Sequence, residues 1–235
     1  MEEGIEEGME EGMSVHRRLE LIVYGDFNCP FSALASTRVE FLEDHALATV
    51  DWRSVEHAPD IPSQGRVVSG DLEIQLRGEL NQIRGLLKDG EADQLRLPAI
   101  QTNTRRATLA YASASSCARR ELRKRLFAAY WTHGANLADE KMLVRLGVIR
   151  PDESTAAEWQ DEWLALPRPI VPVMVLPDGY VSRGLGALAR LAQLAENLER
   201  VEKPVATDVE GDETPTANPA DMGGESPCFA HLMEE

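Results

Sequence analysis

The chain has 235 residues, of which 43% are hydrophobic, so it is long enough to bury one sizeable core or one core with an inserted subdomain. Its formal net charge is −16, but six acidic residues lie in residues 1–13 and nine lie in residues 201–235. The rest of the chain is nearly neutral, which argues against a nucleic-acid partner because such binding needs basic surface. No apolar run is long enough to cross a bilayer, so we also expect no membrane partner.

Both ends of the chain are acidic, and we predict that residues 1–17 and 202–235 are disordered. The first segment lacks the basic and apolar regions of a secretory signal, which predicts a cytoplasmic protein. The three cysteines, Cys29, Cys117 and Cys228, are too far apart for a CxxC or metal-ligand pattern, so we expect reduced thiols and no metal site.

The first predicted elements are a buried strand over residues 21–24 and a helix that begins near Cys29. Asn28 is expected to cap this helix, and Pro30 suits its first turn. Cys29 would then lie where unpaired backbone N–H groups and the helix dipole favour a thiolate. We therefore predict a pKa below that of an ordinary thiol. The alternative is a half-buried cysteine with no chemistry.

A second strand is predicted over residues 48–55, and the strand–helix–strand unit implies a parallel pair with a right-handed crossover. The loop that follows contains His57. Because Cys29 and His57 both follow the carboxyl ends of adjacent parallel strands, His57 is a candidate acid/base partner for Cys29. The alternative is a solvated loop histidine.

Residues 65–166 are predicted to form a helical insertion, since leucines and aromatic residues recur there every three or four positions. We interpret these stripes as core, and Cys117 as a small packing residue. Strand character returns after residue 166, where Pro172 precedes a β-branched run and residues 177–179 form a hairpin turn. The last predicted helix begins at Leu185. The main domain would thus be discontinuous, comprising residues 18–64 and 167–201.

Three motifs together resemble the DsbA-like branch of thioredoxin-fold proteins. The sequence Cys29-Pro30-Phe31-Ser32 resembles the Cys-Pro-x-Cys active site with serine as its fourth residue. Residues 126–139 resemble the helical insertion of the group that includes FrnE-like proteins, 2-hydroxychromene-2-carboxylate isomerases and kappa-class glutathione transferases. Pro172 lies where such proteins place a cis-proline. The resemblance covers residues 18–200 and implies an α/β, thioredoxin-like fold with an inserted all-helical subdomain.

This resemblance implies a thiol-disulfide oxidoreductase with a monothiol site. Cys29 would attack the substrate, and Ser32 would stabilise its sulfur without being able to form a disulfide with it. The remaining substrate-binding residues would be Pro30, Phe31, Val171 and Pro172. The partner would be a protein disulfide or a small-molecule thiol, with no bound cofactor and with glutathione as a candidate co-substrate.

Two other functions remain open at this stage. One is a glutathione-dependent transferase or isomerase in which Cys29 and Ser32 orient a bound thiol. The related transferases use a Ser/Asp pair to hold glutathione, but here Ser182 is followed by Arg183, which could contact a carboxylate instead. The other is a non-catalytic binding module. A homodimer is also left open.

Overall fold

The computed structural model describes residues 18–147 and 153–202, without the side chains of residues 197–202. The predictions made for residues 1–17, for the acidic tail beyond Glu202 and for Cys228 lie outside these ranges. In chain order the described elements are β1 (Leu19–Gly25), α1 (Pro30–Asp44), β2 (Ala48–Ser54), β3 (Arg66–Val67), α2 (Gly70–Leu86), β4 (Ile100–Gln101), α3 (Arg105–Ser113), α4 (Ser116–Phe127), α5 (Glu140–Arg145), α6 (Glu153–Leu164), β5 (Val173–Val175), β6 (Val181–Arg183) and α7 (Leu185–Glu202).

The central sheet has four strands in the order β2-β1-β5-β6. Strands β1 and β2 are parallel, with Gly25 opposite Ser54 at their carboxyl ends. Strand β5 runs antiparallel to β1, with Tyr24 opposite Val173, and β6 runs antiparallel to β5. The carboxyl ends of β1 and β2 and the amino end of β5 therefore meet at one edge of the sheet.

Strand β1 lies between β2 and β5, and its residues Leu21, Val23 and Tyr24 are at most 4% exposed. Helix α1 packs against the sheet through Ala35, Val39 and Leu42, which recur at helical spacing and are at most 1% exposed. Burial of a valine or leucine side chain contributes about 1.5–3 kcal/mol, so Val39 and Leu42 help to hold α1 in place.

The insertion between β2 and β5 is mostly helical, as predicted, and it contains α2 to α6. A short antiparallel pair, β3 with β4, also forms within it. Sequence periodicity did not indicate this pair because two-residue strands are too short to show alternation. Helix α4 continues into a π-helical turn over Ala128–Thr132, which buries Tyr130 and Trp131.

An aromatic cluster joins the insertion to the loop after β1. The ring of Phe27, fully buried, lies 5.0 Å from Phe127 and 5.7 Å from Tyr111 between ring centroids. The Nε1–H group of Trp131 donates to the carbonyl oxygen of Phe27 at 2.9 Å. Aromatic pairs at these distances contribute about 0.5–1.5 kcal/mol beyond area burial, so the insertion helps to fix this loop.

Across the two described ranges, the helices are all either too short or too polar to traverse a lipid bilayer.

The close approach of Trp52 to Gly25 yields a stability prediction. A Cβ atom added at Gly25 would lie 2.3 Å from the Trp52 ring, which is 2% exposed. We expect Gly25→Ala to lower the free energy of unfolding by about 1–3 kcal/mol, because the ring has no room to move away. Chemical denaturation measures this loss.

Gly78→Ala is the matched control. Gly78 lies within α2 and a Cβ atom there meets nothing within 4 Å. Alanine should stabilise the helix by about 0.5–1 kcal/mol. Equal effects of the two substitutions would contradict the packing at Gly25.

Candidate active site

The loop after β1 places Cys29 directly before α1. Cys29 is the N-cap residue of this helix, with extended backbone angles, and Pro30 occupies the first helical position. The prediction that Asn28 caps the helix is wrong. Its side-chain amide is buried and donates to the carbonyl oxygen of Thr102 at 3.0 Å, so it ties the loop to the insertion instead.

The sulfur of Cys29 faces the residue that precedes Pro172. The Sγ atom lies 3.9 Å from the carbonyl oxygen of Val171, and the Val171–Pro172 peptide bond is cis. This segment covers the thiol, which is only 6% exposed. Residues 142 positions apart in the chain thus form one site.

Burial dominates the ionisation of the Cys29 thiol. It raises the pKa to about 11, against the opposing effect of donors at the helix start. These donors are the Ser32 hydroxyl and the backbone N–H groups of Ser32 and Phe31, and the charge of Asp26 raises the pKa further. The prediction of a low pKa is therefore wrong. The helix N-terminus supplies the expected N–H groups, but loss of hydration outweighs them.

Ser32 links the sulfur to the loop after β1. Its side chain is fully buried, and its Oγ atom accepts a hydrogen bond from the Asp26 N–H group at 3.2 Å. Because that acceptor site is used, the Ser32 hydroxyl proton is available for the sulfur of Cys29. Ser32 thus lies one turn from Cys29, where its hydroxyl can donate to the sulfur.

Asp26 and His57 form an ion pair beside this site. The fully buried carboxylate of Asp26 accepts from the backbone N–H of His57 at 2.9 Å, and its Oδ2 atom lies 2.7 Å from His57 Nδ1. Burial alone would lower the pKa of His57, but the hydrogen bond and charge of Asp26 outweigh it and raise the pKa. His57 therefore pairs with Asp26, and no direct contact joins it to Cys29 among the described hydrogen bonds.

The other predicted site residues surround this centre. Pro30 is buried in the first turn of α1, and Phe31 beside it is partly exposed. Arg183 on β6 lies opposite Val173 on β5. Val173 is the residue that directly follows Pro172. The Nε atom of Arg183 is buried and has no hydrogen-bond partner among the described residues. Arg183 thus flanks the cis-proline segment, on the side opposite β1.

Sequence reasoning overlooked Asp26 as a functional residue and assigned it only to the break after β1. A carboxylate that directly follows a buried strand, with His57 at the matching place after the neighbouring parallel strand, is the signal that would have identified it. Among the described residues, no group of His, Cys, Asp and Glu side chains could hold a metal ion.

The chain belongs to the DSBA-like thioredoxin domain family, because the family model matches residues 20–148, which is more than half of its length. The fold is accordingly thioredoxin-like, with an α/β sheet and the inserted helices described above. No curated protein matches the sequence.

Several solved structures share this fold at low sequence identity. A 2-hydroxychromene-2-carboxylate isomerase is 20% identical, with a TM-score of 0.54, and the match covers 77% of this chain and 95% of that one. A probable DsbA oxidoreductase from Streptomyces coelicolor is 17% identical, with a TM-score of 0.60, and the match covers 86% of this chain and 100% of that one. The cytosolic disulfide reductase DsbM from Pseudomonas aeruginosa, solved with GSH, is 17% identical, with a TM-score of 0.51, and the match covers 78% of this chain and 99% of that one.

The electrostatic arrangement predicts opposite effects of two substitutions on the Cys29 thiol. Asp26→Asn removes the charge that raises the Cys29 pKa, so Cys29 should react faster with iodoacetamide at pH 8. His57→Gln leaves the Asp26 charge unbalanced, so Cys29 should react more slowly. Each unit of pKa changes the thiolate fraction about tenfold when the thiol is mostly protonated. Peptide mapping with Cys117 as the internal reference measures both rates. Changes of the same sign would refute this arrangement.

The His57–Asp26 pair also predicts a pH dependence of stability. Because the folded-state pKa of His57 is raised, its contribution is fully present below the unfolded pKa of about 6.5 and is lost as the pH rises through the folded value. Denaturation at a series of pH values should show wild type losing stability relative to His57→Gln over that interval. A stability of wild type that instead rises with pH relative to His57→Gln would contradict the pairing of His57 with Asp26.

Proposed function

We propose that this protein catalyses thiol–disulfide exchange with Cys29 as its single reacting thiol. The proposal rests mainly on one observation: the Cys29 sulfur lies at the start of α1 and 3.9 Å from the carbonyl oxygen of Val171, beside cis-Pro172. An extended substrate segment could pair with the backbone at Val171 and bring its disulfide to this sulfur. Membership in the DSBA-like family supports the same chemistry.

The proposed reaction has two exchange steps. Cys29 loses its proton, and its thiolate attacks one sulfur of a substrate disulfide, so that a mixed disulfide forms and the other substrate sulfur leaves as a thiolate. The thiolate of glutathione then attacks the substrate sulfur of the mixed disulfide. This step releases the Cys29 thiolate and leaves a substrate–glutathione disulfide. An external thiol is required because Ser32 cannot perform this second attack.

The raised pKa sets the speed of the first step. At pH 7 a thiol of pKa about 11 carries far less thiolate than an ordinary thiol, and its greater nucleophilicity recovers only part of the loss. The net effect is a rate on the order of tenfold below that of an ordinary exposed thiol. The donors from Ser32 and Phe31 would stabilise the thiolate once a substrate draws the sulfur out of its covered position.

The surface around the thiol suits a substrate with apolar character. Ile170, just before Val171, is 50% exposed, and Leu185 at the start of α7 is 46% exposed. Phe31 is also partly exposed. We place the reaction in the cytoplasm, where Cys29 and Cys117 would stay reduced as they are in the structure.

A second candidate is a glutathione-dependent transferase or isomerase. The raised pKa of Cys29 favours it, since a protonated thiol beside the Ser32 hydroxyl can donate a hydrogen bond to a bound thiolate. In that case Cys29 binds glutathione without forming a covalent bond to it. Arg183, whose Nε lacks a partner among the described residues, would contact a carboxylate of the tripeptide.

Glutathione adducts distinguish the two candidates. On incubation with glutathione disulfide, the exchange reaction predicts a mixed disulfide on Cys29, detected by mass spectrometry and absent in Cys29→Ser. The transferase predicts no adduct, and reversible glutathione binding that persists in Cys29→Ser. Absence of both adduct and binding would refute both candidates and leave a non-catalytic binding module.

Ser32→Cys tests the exchange reaction independently. It creates two thiols one helical turn apart, which should close to an internal disulfide under mild oxidant and reduce insulin faster than wild type does. Thr37→Cys in the same helix is the matched control. It should form no disulfide with Cys29, because residue 37 lies about two helical turns from Cys29. Failure of Ser32→Cys to close would contradict the placement of these two side chains.

A further inference from the structure

A cavity of about 220 Å³ lies against α1, and Cys29 is not among the residues that line it. Its floor is α1, and its walls are the end of α2, the segment that follows it, and the junction of α4 with the π-helical turn. An engineered cavity of about 150 Å³ holds benzene, so this volume suits one ring with a short chain. The site described above uses none of these walls for its chemistry.

The walls of this cavity are partly apolar and aromatic, and the polar side chains on them include Lys124. Leu34, Ile83 and Leu95 supply aliphatic surface, and the rings of Phe127 and Trp131 supply aromatic surface. Such walls favour an apolar body and can also attract a cation over an aromatic ring.

Three carboxylates line the cavity, and their hydrogen bonding differs. Both carboxylate oxygens of Glu91 are engaged, since they accept hydrogen bonds from Arg38 at 2.7 and 2.8 Å and from the Lys88 N–H group at 2.8 Å. Asp93 accepts from Arg84 at 2.9 Å. Both are therefore already neutralised by close arginine partners, and neither needs a ligand.

Glu40 has much weaker contacts than the other two. Its Oε1 atom lies 3.5 Å from the Ser36 hydroxyl, and its Oε2 atom lies 4.0 Å from the ammonium of Lys124. Its side chain is 24% exposed, against 40% for Lys124, so the carboxylate is the less hydrated of the two. Burial raises the pKa of Glu40, although the positive charges of Arg123 and Lys124 oppose this shift. A carboxylate with spare acceptor capacity in an apolar cavity is suited to a cationic donor.

We propose that this cavity binds a small organic amine, with its ammonium group on Glu40 and its apolar body between α1 and the aromatic wall. The Thr37 hydroxyl also lines the cavity and can accept a further hydrogen bond from the ammonium. The ligand would contact α1 at Ala33, one turn beyond Cys29, but it does not take part in the thiol chemistry. This site is independent of the proposed exchange reaction.

Titration calorimetry with 2-phenylethylamine tests the proposal on the full-length protein at pH 7. Wild type should bind the amine, and 2-phenylethanol and 3-phenylpropionate, which have similar shapes but are neutral and anionic, should bind at least tenfold more weakly. Cys29→Ser should bind the amine as wild type does, which separates this site from the thiol chemistry.

Glu40→Gln provides the decisive variant and should weaken amine binding at least tenfold. Glu158→Gln, which removes the same charge from an exposed position on α6, should leave binding unchanged. Ala128→Leu fills the cavity from a partly exposed position and should abolish binding of all three probes. No binding of the amine to wild type, equal binding of the alcohol, or unchanged binding in Glu40→Gln would each overturn the proposal.

Discussion

The pairing of β1 with both of its neighbours determines where the site forms. Because β1 and β2 are parallel, the loops that carry Cys29 and His57 leave the sheet at the same edge. Because β5 is antiparallel to β1, the segment that leads into β5 arrives there too, with Val171 against the sulfur. A shift in either register would separate groups that lie up to 142 residues apart in the chain. The chemistry therefore depends on the sheet, and the insertion supports it from the side.

The insertion contributes by immobilising the loop between β1 and α1. Asn28 is hydrogen-bonded to Thr102, and Trp131 is hydrogen-bonded to the Phe27 carbonyl, so the middle of this short loop is anchored to the inserted part of the chain. Cys29 itself is covered by the segment at Val171, which keeps water away from its sulfur. Anchoring of the loop by the insertion and burial of the sulfur under Val171 act together, and the loss of hydration explains why a helix N-terminus alone does not produce a thiolate here.

Local sequence signals predicted the parts of this fold that depend on local structure. Strand β1, the proline-initiated helix α1, the helical insertion and the position of Pro172 all follow from periodicity, propensity and the resemblance to a known family. The pKa of Cys29 could not be predicted in this way, because it depends on how completely the folded chain buries the sulfur. The pairing of Asp26 with His57 could be predicted only in part. Parallel-strand geometry indicated that His57 lies near the site and also places Asp26 at that edge, but the hydrogen bonds that join the two residues are seen only in the folded chain.

The reactivity of this site depends most directly on the ionisation of Cys29 in the folded protein. An NMR titration of a cysteine labelled with carbon-13 at Cβ, with Cys117 and Cys228 replaced by serine, measures this property without any reaction. The structure predicts that the Cβ signal of Cys29 stays in its thiol position through neutral pH and moves only well above pH 9, consistent with a pKa of about 11. A midpoint at or below pH 7 would show that the sulfur is hydrated or paired with a cation, and would contradict the covered thiol on which this account is built.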